Sequence, residues 1–175
     1  MHNPYEYKLF DDEDGELSYT FESVNGALYS VTFNIREYND YTEHYPHLFN
    51  FGHGLSFFKM TRPIQKSKLD ERIEHTIGKI ISDFFTANGN GAVLLFHCDF
   101  SDKRQKCRDH LFTQWYSNSP EKNNYFRERV GATVFETDVT HYMGFLTPIS
   151  NPNLALVQLE FDACYFNLIQ DKAGK

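Results

Sequence analysis

Apolar and polar residues alternate over the first third of the chain. Tyr5-Glu6-Tyr7-Lys8-Leu9 leads into an acidic turn, Asp11-Asp12-Glu13-Asp14-Gly15. Leu17, Tyr19 and Phe21 then recur at period two, as do Tyr29, Val31 and Phe33. Period two predicts strands, and Asn25-Gly26 between the two rows predicts their turn. Loop length decides the register. A two-residue turn would pair Phe21 with Ser30 and send the two aromatic rows to opposite faces. A three-residue loop pairs Phe21 with Val31 and Tyr19 with Phe33 on one face, so the odd loop is expected, with Gly26 at positive φ.

Regularity is lost between Asn34 and Gly54, where Tyr38, Tyr41, His44, Tyr45, His47 and His53 stand among polar residues and Pro46 reads as a breaker. Leu55 to Met60 predicts a strand ending before Arg62-Pro63. Leu69, Ile73, Ile77, Ile80, Ile81 and Phe84 recur at helical spacing and predict a helix over 69–86. Ser67 is its expected cap, Asp70 suits its first turn, and Asn88-Gly89-Asn90-Gly91 ends it. Ala92 to Cys98 lacks alternation and reads as a central strand covered on both faces. A helix follows from Asp102 to about Tyr116. Ala132 to Glu136 and Val139 to Leu146 predict a hairpin joined near Thr137-Asp138. After Asn151-Pro152, Leu154, Val157, Phe161, Cys164, Tyr165 and Leu168 fit a helix. Ala155, Val157, Leu159 and Phe161 also fit a strand, and length favours the helix. The whole predicts one α+β domain over 1–175: a mainly antiparallel sheet of about five to seven strands with two or three helices packed on it.

Composition narrows the setting. With 175 residues, 41% of them hydrophobic, and 17 Phe and 11 Tyr, the chain can fill a core without metals or disulfides. A net charge of -7 argues against a nucleic-acid backbone as the main partner. No apolar run reaches the ~18 residues of a membrane span, and the N-terminus lacks a basic-then-apolar signal pattern. Cys98, Cys107 and Cys164 are odd in number and form no C-x-x-C, which suits reduced thiols in a cytoplasmic protein. The surplus aromatics of segment 34–54 offer a contact surface for another protein if they are exposed.

Candidate chemistry gathers where the central strand meets the second helix. Lys103, Arg104, Lys106 and Arg108 crowd the helix start, where each cation opposes the dipole by ~0.3–1 kcal/mol. Ser101 or Asp102 is the expected N-cap. Arg104, Cys107, Arg108, Leu111 and Trp115 share one side, with Leu111, Phe112 and Trp115 as the anchor in the core. Two sources can offset the cations. One is the chain's own carboxylates: Asp99, Asp102 or an acidic side chain from a neighbouring strand. The other is an anionic ligand, such as a phosphate, nucleotide or substrate carboxylate, held by Arg104, Arg108 and helix N–H groups, with Ser101 and Asp99 nearby. Adjacent strand residues point to opposite faces, so His97 is no base for Cys98. His44-x-x-His47 without a helix beneath it carries no metal assignment, and no cofactor is expected.

The run Leu95-Phe96-His97-Cys98-Asp99-Phe100-Ser101-Asp102-Lys103-Arg104-Gln105, with Arg108, Leu111-Phe112 and Trp115-Tyr116, resembles the signature of a family of uncharacterised bacterial domain-of-unknown-function proteins. That signature is a strand followed by C-D-x-S-D-x-R-Q and a helix. The resemblance implies a bacterial cytosolic origin and no activity. The lack of a strong catalytic constellation and the surplus aromatics of Tyr38 to Phe51 make a non-enzymatic protein-interaction or regulatory module the expectation, with an enzyme or sensor for a phosphorylated or nucleotide ligand at the start of the 102–116 helix as the alternative.

Overall fold

The computed structural model describes residues 3–11, 16–34, 37–64, 70–98, 101–134 and 138–173. The expected cap Ser67, the helix start at Leu69, the acidic-turn residues 12–15, the candidate Asp99 and the hairpin tip at Glu136-Thr137 lie outside the described residues. The strands are β1 (Tyr7–Asp11), β2 (Glu16–Glu22), β3 (Leu28–Asn34), β4 (Gly52–Lys59), β5 (Val93–His97), β6 (Tyr125–Val134) and β7 (Val139–Pro148). The helices are α1 (Pro46–Phe49), α2 (Glu71–Asn88), α3 (Gln105–Asn118) and α4 (Leu154–Ala173). One seven-stranded sheet runs in the order β1-β2-β3-β4-β5-β7-β6. It is antiparallel except where β4 meets β5. This is the α+β architecture that the alternating pattern predicts.

The β2–β3 register departs from the expectation. Phe21 pairs with Tyr29 and Tyr19 with Val31, two residues from the predicted partners. The loop does have three residues, Val24, Asn25 and Gly26, closed by Ser23 N–H donating to the Ala27 carbonyl at 2.9 Å. Gly26 has φ 73° and takes the last loop position rather than the middle one. A three-residue hairpin loop puts its left-handed residue at the end, which moves the turn one place toward the N-terminus. Both aromatic rows still share a face, as the odd loop requires. On that face a row of rings crosses the sheet, with Tyr5 on Phe21, Phe21 on Tyr29, Tyr29 on Phe57 and Phe57 on Trp115 at centroid spacings of 6.0, 5.3, 5.6 and 5.7 Å.

Helix ends follow local chemistry. Asp70 is the N-cap of α2, its side chain accepting from Arg72 N–H at 3.1 Å, and Gly89 at φ 81° ends the helix. Pro46 does not break structure but opens α1, where its missing N–H costs nothing. The tail is helical, as length predicts. Asn151 fixes its start: its Oδ1 accepts from Asn153 N–H at 2.9 Å, and its Nδ2 donates to Thr147 Oγ1 at 2.8 Å.

Two cores sit on the two faces. Phe21, Val31, Phe33, Leu94 and Leu146 pack under α2, with Phe33 on Phe84 at 4.3 Å. Val93, Leu95, Met143 and Phe145 pack under α4, with Phe161 against Phe145 at 5.1 Å. Successive β5 residues feed opposite cores, which is why that strand shows no alternation. No helix among the described residues is long and apolar enough to cross a membrane.

Candidate functional site

β5 hands over to α3 through residues 101–104, a turn in which Lys103 adopts φ 60°. That turn delays the helix, so neither Ser101 nor Asp102 is its cap. Arg104 occupies the N-cap position, with no side-chain cap bond. Asp102 is occupied elsewhere. Its Oδ1 accepts from Arg104 backbone N–H at 3.1 Å, and its two oxygens take Arg108 Nη1 and Nη2 at 2.7 and 2.8 Å. The Arg108 guanidinium holds the Asp102 carboxyl below the usual carboxylate range.

The expected core anchor is only half buried. Leu111, Phe112 and Trp115 keep part of their surface open, and Asp109 is the buried residue of α3. The reason is a cleft of about 1120 Å³ between α2 and α3. Phe57 and Phe96 floor it, Ile77 and Ile81 line it from α2, and Leu111 and Trp115 line it from α3. Arg104 and Arg108 reach it from the helix start. The Arg104 guanidinium makes no hydrogen bond or ion pair with a described residue. Ser101 is not brought to this cleft. It borders a separate depression with Lys103 and Gln105. Of the four anion-site residues expected from sequence, two share the cleft, one faces away, and Asp99 is not described.

A third arginine enters the cleft from β6. Arg127 is half buried, donates from Nη2 to Thr113 Oγ1 at 3.2 Å, and lies 5.3 Å from the Phe96 ring centre and 5.6 Å from that of Tyr116. Burial pushes its pKa down, while the charge of Asp109 opposes this. It has no ion pair among the described residues. Asp109, the nearby carboxylate, is taken by Arg129 Nη1 at 2.8 Å, and its Oδ1 meets no donor among the described residues. Sequence reading missed Arg127. The available signal was Arg127 and Arg129 at period two on a strand whose other face carries Phe126, Val130 and Ala132.

Nucleophile chemistry finds little support here. Cys98 is buried, and its thiol is pushed up to about 12, mainly by burial, with Asp109 adding to the shift and Arg108, Arg127 and Arg129 opposing it. Cys164 is likewise raised to about 12 by burial. A thiol so raised is protonated at neutral pH and a poor nucleophile. His97 pairs with His141 at 3.3 Å, Nε2 to Nδ1, on the α4 side of the sheet and away from Cys98. His47 meets Glu160 at 2.6 Å. Among the described residues, no group of three His, Cys, Asp or Glu is placed to hold a metal ion.

The aromatic segment 34–54 turns mostly inward. Tyr38, Leu48 and Phe49 are buried in the α4-side core, Tyr41 and Tyr45 pack against it, and Phe51 stays exposed.

The family of unknown function DUF6169 matches residues 69–163. The chain belongs to that family. The match runs from the start of α2 into α4 and takes in both walls of the cleft together with β5, β6 and β7, whereas Phe57 on β4 lies before it. No curated protein and no solved structure matches the chain.

Proposed function

We propose that this DUF6169 protein binds a small anionic ligand in the α2–α3 cleft, as a sensor or carrier. The supporting observation is an apolar cleft opening at the start of α3 with the Arg104 guanidinium, which no described residue pairs, beside it. Clefts of several hundred to a thousand cubic ångströms, apolar with few convergent polar groups, are the usual form of small-molecule sites. Half-buried Trp115 and Leu111 would gain burial from an occupant. A protein contact through segment 34–54 keeps, among the described residues, only Phe51 as a large exposed hydrophobic anchor, so the cleft is the better supported reading. A bacterial, cytoplasmic setting, carried by the resemblance at Cys98 to Trp115, suits either role.

A thermal-shift panel of nucleotides, sugar phosphates and organic acids tests this reading. At least one class should raise the melting temperature of the wild type, and raise that of Arg104→Ala less. A wild type that responds to none of them contradicts it.

A further inference from the structure

We infer that the ligand is an amphipathic carboxylic acid, its apolar body lying between α2 and α3 and its carboxylate held by Arg127. This inference rests on the cleft being the binding site.

Three observations single out Arg127. Its guanidinium lies near two rings, Phe96 and Tyr116, at 5.3 and 5.6 Å from their centres. Thr113 Oγ1, which itself donates to the Asp109 carbonyl at 2.8 Å, accepts from one terminal nitrogen and fixes the orientation of the guanidinium. The remaining donors of its fork have no partner among the described residues. A partly desolvated guanidinium with unused donors is costly, and a planar anion that takes two of them removes the cost. The neighbouring arginines are already committed: Arg108 to Asp102 and Arg129 to Asp109.

The charge balance separates carboxylate from phosphate. A phosphomonoester carries about -1.5 to -2 at pH 7. One guanidinium in apolar surroundings would leave much of that charge uncompensated, whereas it neutralises a carboxylate. Arg104 is exposed at the mouth, where solvent screens it, so it adds less to the hold on the anion than Arg127 does. Ile77, Ile81 and Leu111 have no polar side-chain atoms to meet a ribose or a base edge and suit an alkyl chain or apolar ring. Segment 101–134 alone supplies the cation, its orienting hydroxyl and one wall.

Trp115 is the chain's single tryptophan and lines the cleft, so its emission reports occupancy directly. Octanoate, decanoate, decanol, adenosine monophosphate and a brominated decanoate are titrated against the wild type, Arg127→Gln, Arg127→Lys and Arg104→Ala. Decanoate should bind more tightly than octanoate, by roughly three- to fourfold per methylene. The brominated acid should quench Trp115. Arg127→Gln should weaken decanoate at least tenfold and leave decanol unchanged, with Arg127→Lys between. Decanol binding the wild type as tightly as decanoate overturns the role of Arg127. Adenosine monophosphate binding through Arg104 while decanoate fails overturns this inference and leaves the cleft reading standing. No response from Trp115 to any of the compounds overturns both.

Discussion

The ring of Phe96 lies over Gly144. The two residues pair across β5 and β7, and a Cβ on Gly144 would stand 2.5 Å from Phe96 Cζ and collide with the Glu128 carbonyl oxygen. A missing side chain on β7 thus seats the ring that floors the cleft and flanks Arg127. Gly144→Ala should cost about 1–3 kcal/mol, the usual penalty of overpacking. Urea unfolding reads it, and an unchanged midpoint would show that the sheet yields at this point without cost.

Asp102 competes with any anion for Arg108. Both of its oxygens are bound by that guanidinium on an exposed turn. Asp102→Asn should leave the melting temperature nearly unchanged, because exposed ion pairs contribute little. It should tighten anion binding in the cleft severalfold, because it removes the carboxylate charge that takes two of the Arg108 donors. An unaltered titration curve would mean that Arg108 faces away from the bound group.

Tyr5 ties the N-terminal segment to two elements at once. Its hydroxyl donates to Asp70 Oδ2 at 2.7 Å and accepts from Val24 N–H at 2.9 Å, while the Arg72 guanidinium lies 3.9 Å from its ring centre. Tyr5→Phe keeps the ring and removes both bonds. The expected loss is about 1–2 kcal/mol, at ~0.5–1.5 kcal/mol per bond. Denaturant melts of the two proteins measure it, and coincident curves would refute it.

His53 makes stability depend on pH. It is buried beside Phe84, its Nδ1 lies 3.2 Å from the Phe51 carbonyl, and burial lowers its pKa below the ordinary histidine value. The folded state therefore prefers neutral imidazole. Its contribution is fully present above the unfolded value of about 6.5 and is lost as pH falls through that value toward the lower folded one. Glu74 and Glu128, raised by burial, act in the opposite sense at lower pH. The stability difference between the wild type and His53→Phe isolates the histidine. It should shrink for the wild type between pH 7.5 and 5.5 (our chosen test range, about one unit either side of the histidine value). A difference that stays flat with pH would remove His53 as the cause.

Elements whose burial is one-sided or complete were legible from residue pattern alone. Ile73, Ile77, Ile80 and Phe84 fix α2, and Val93 to Phe96 fix a covered strand. Val157, Phe161, Cys164 and Leu168 fix α4 once length is considered. What failed depends on geometry that a pattern does not carry. The β2–β3 register turned on which loop position takes positive φ, and both choices keep the aromatic rows on one face. The α3 anchor read as core because Leu111, Phe112 and Trp115 have helical spacing. Spacing tells which residues share a side, not how far the facing helix stands away. Arg104 and Arg108 were found because charge at a helix start is conspicuous. Arg127 escaped because the pattern predicts this strand only from Ala132, whereas β6 begins at Tyr125.

The parallel contact between β4 and β5 has a kinetic consequence. It spans three residue pairs, Gly52↔Val93, His53↔Leu94 and Gly54↔Leu95, and joins a β1–β4 meander to the β5-β7-β6 piece. The meander closes through short sequence separations, and so does the β6–β7 hairpin. The seam between the two pieces closes only after the whole of α2 has been spanned. Chain entropy makes such long-range pairing late. β5 meets β7 across a still longer stretch of chain, which holds α3 and β6, so the sheet becomes whole only when β5 is seated between β4 and β7.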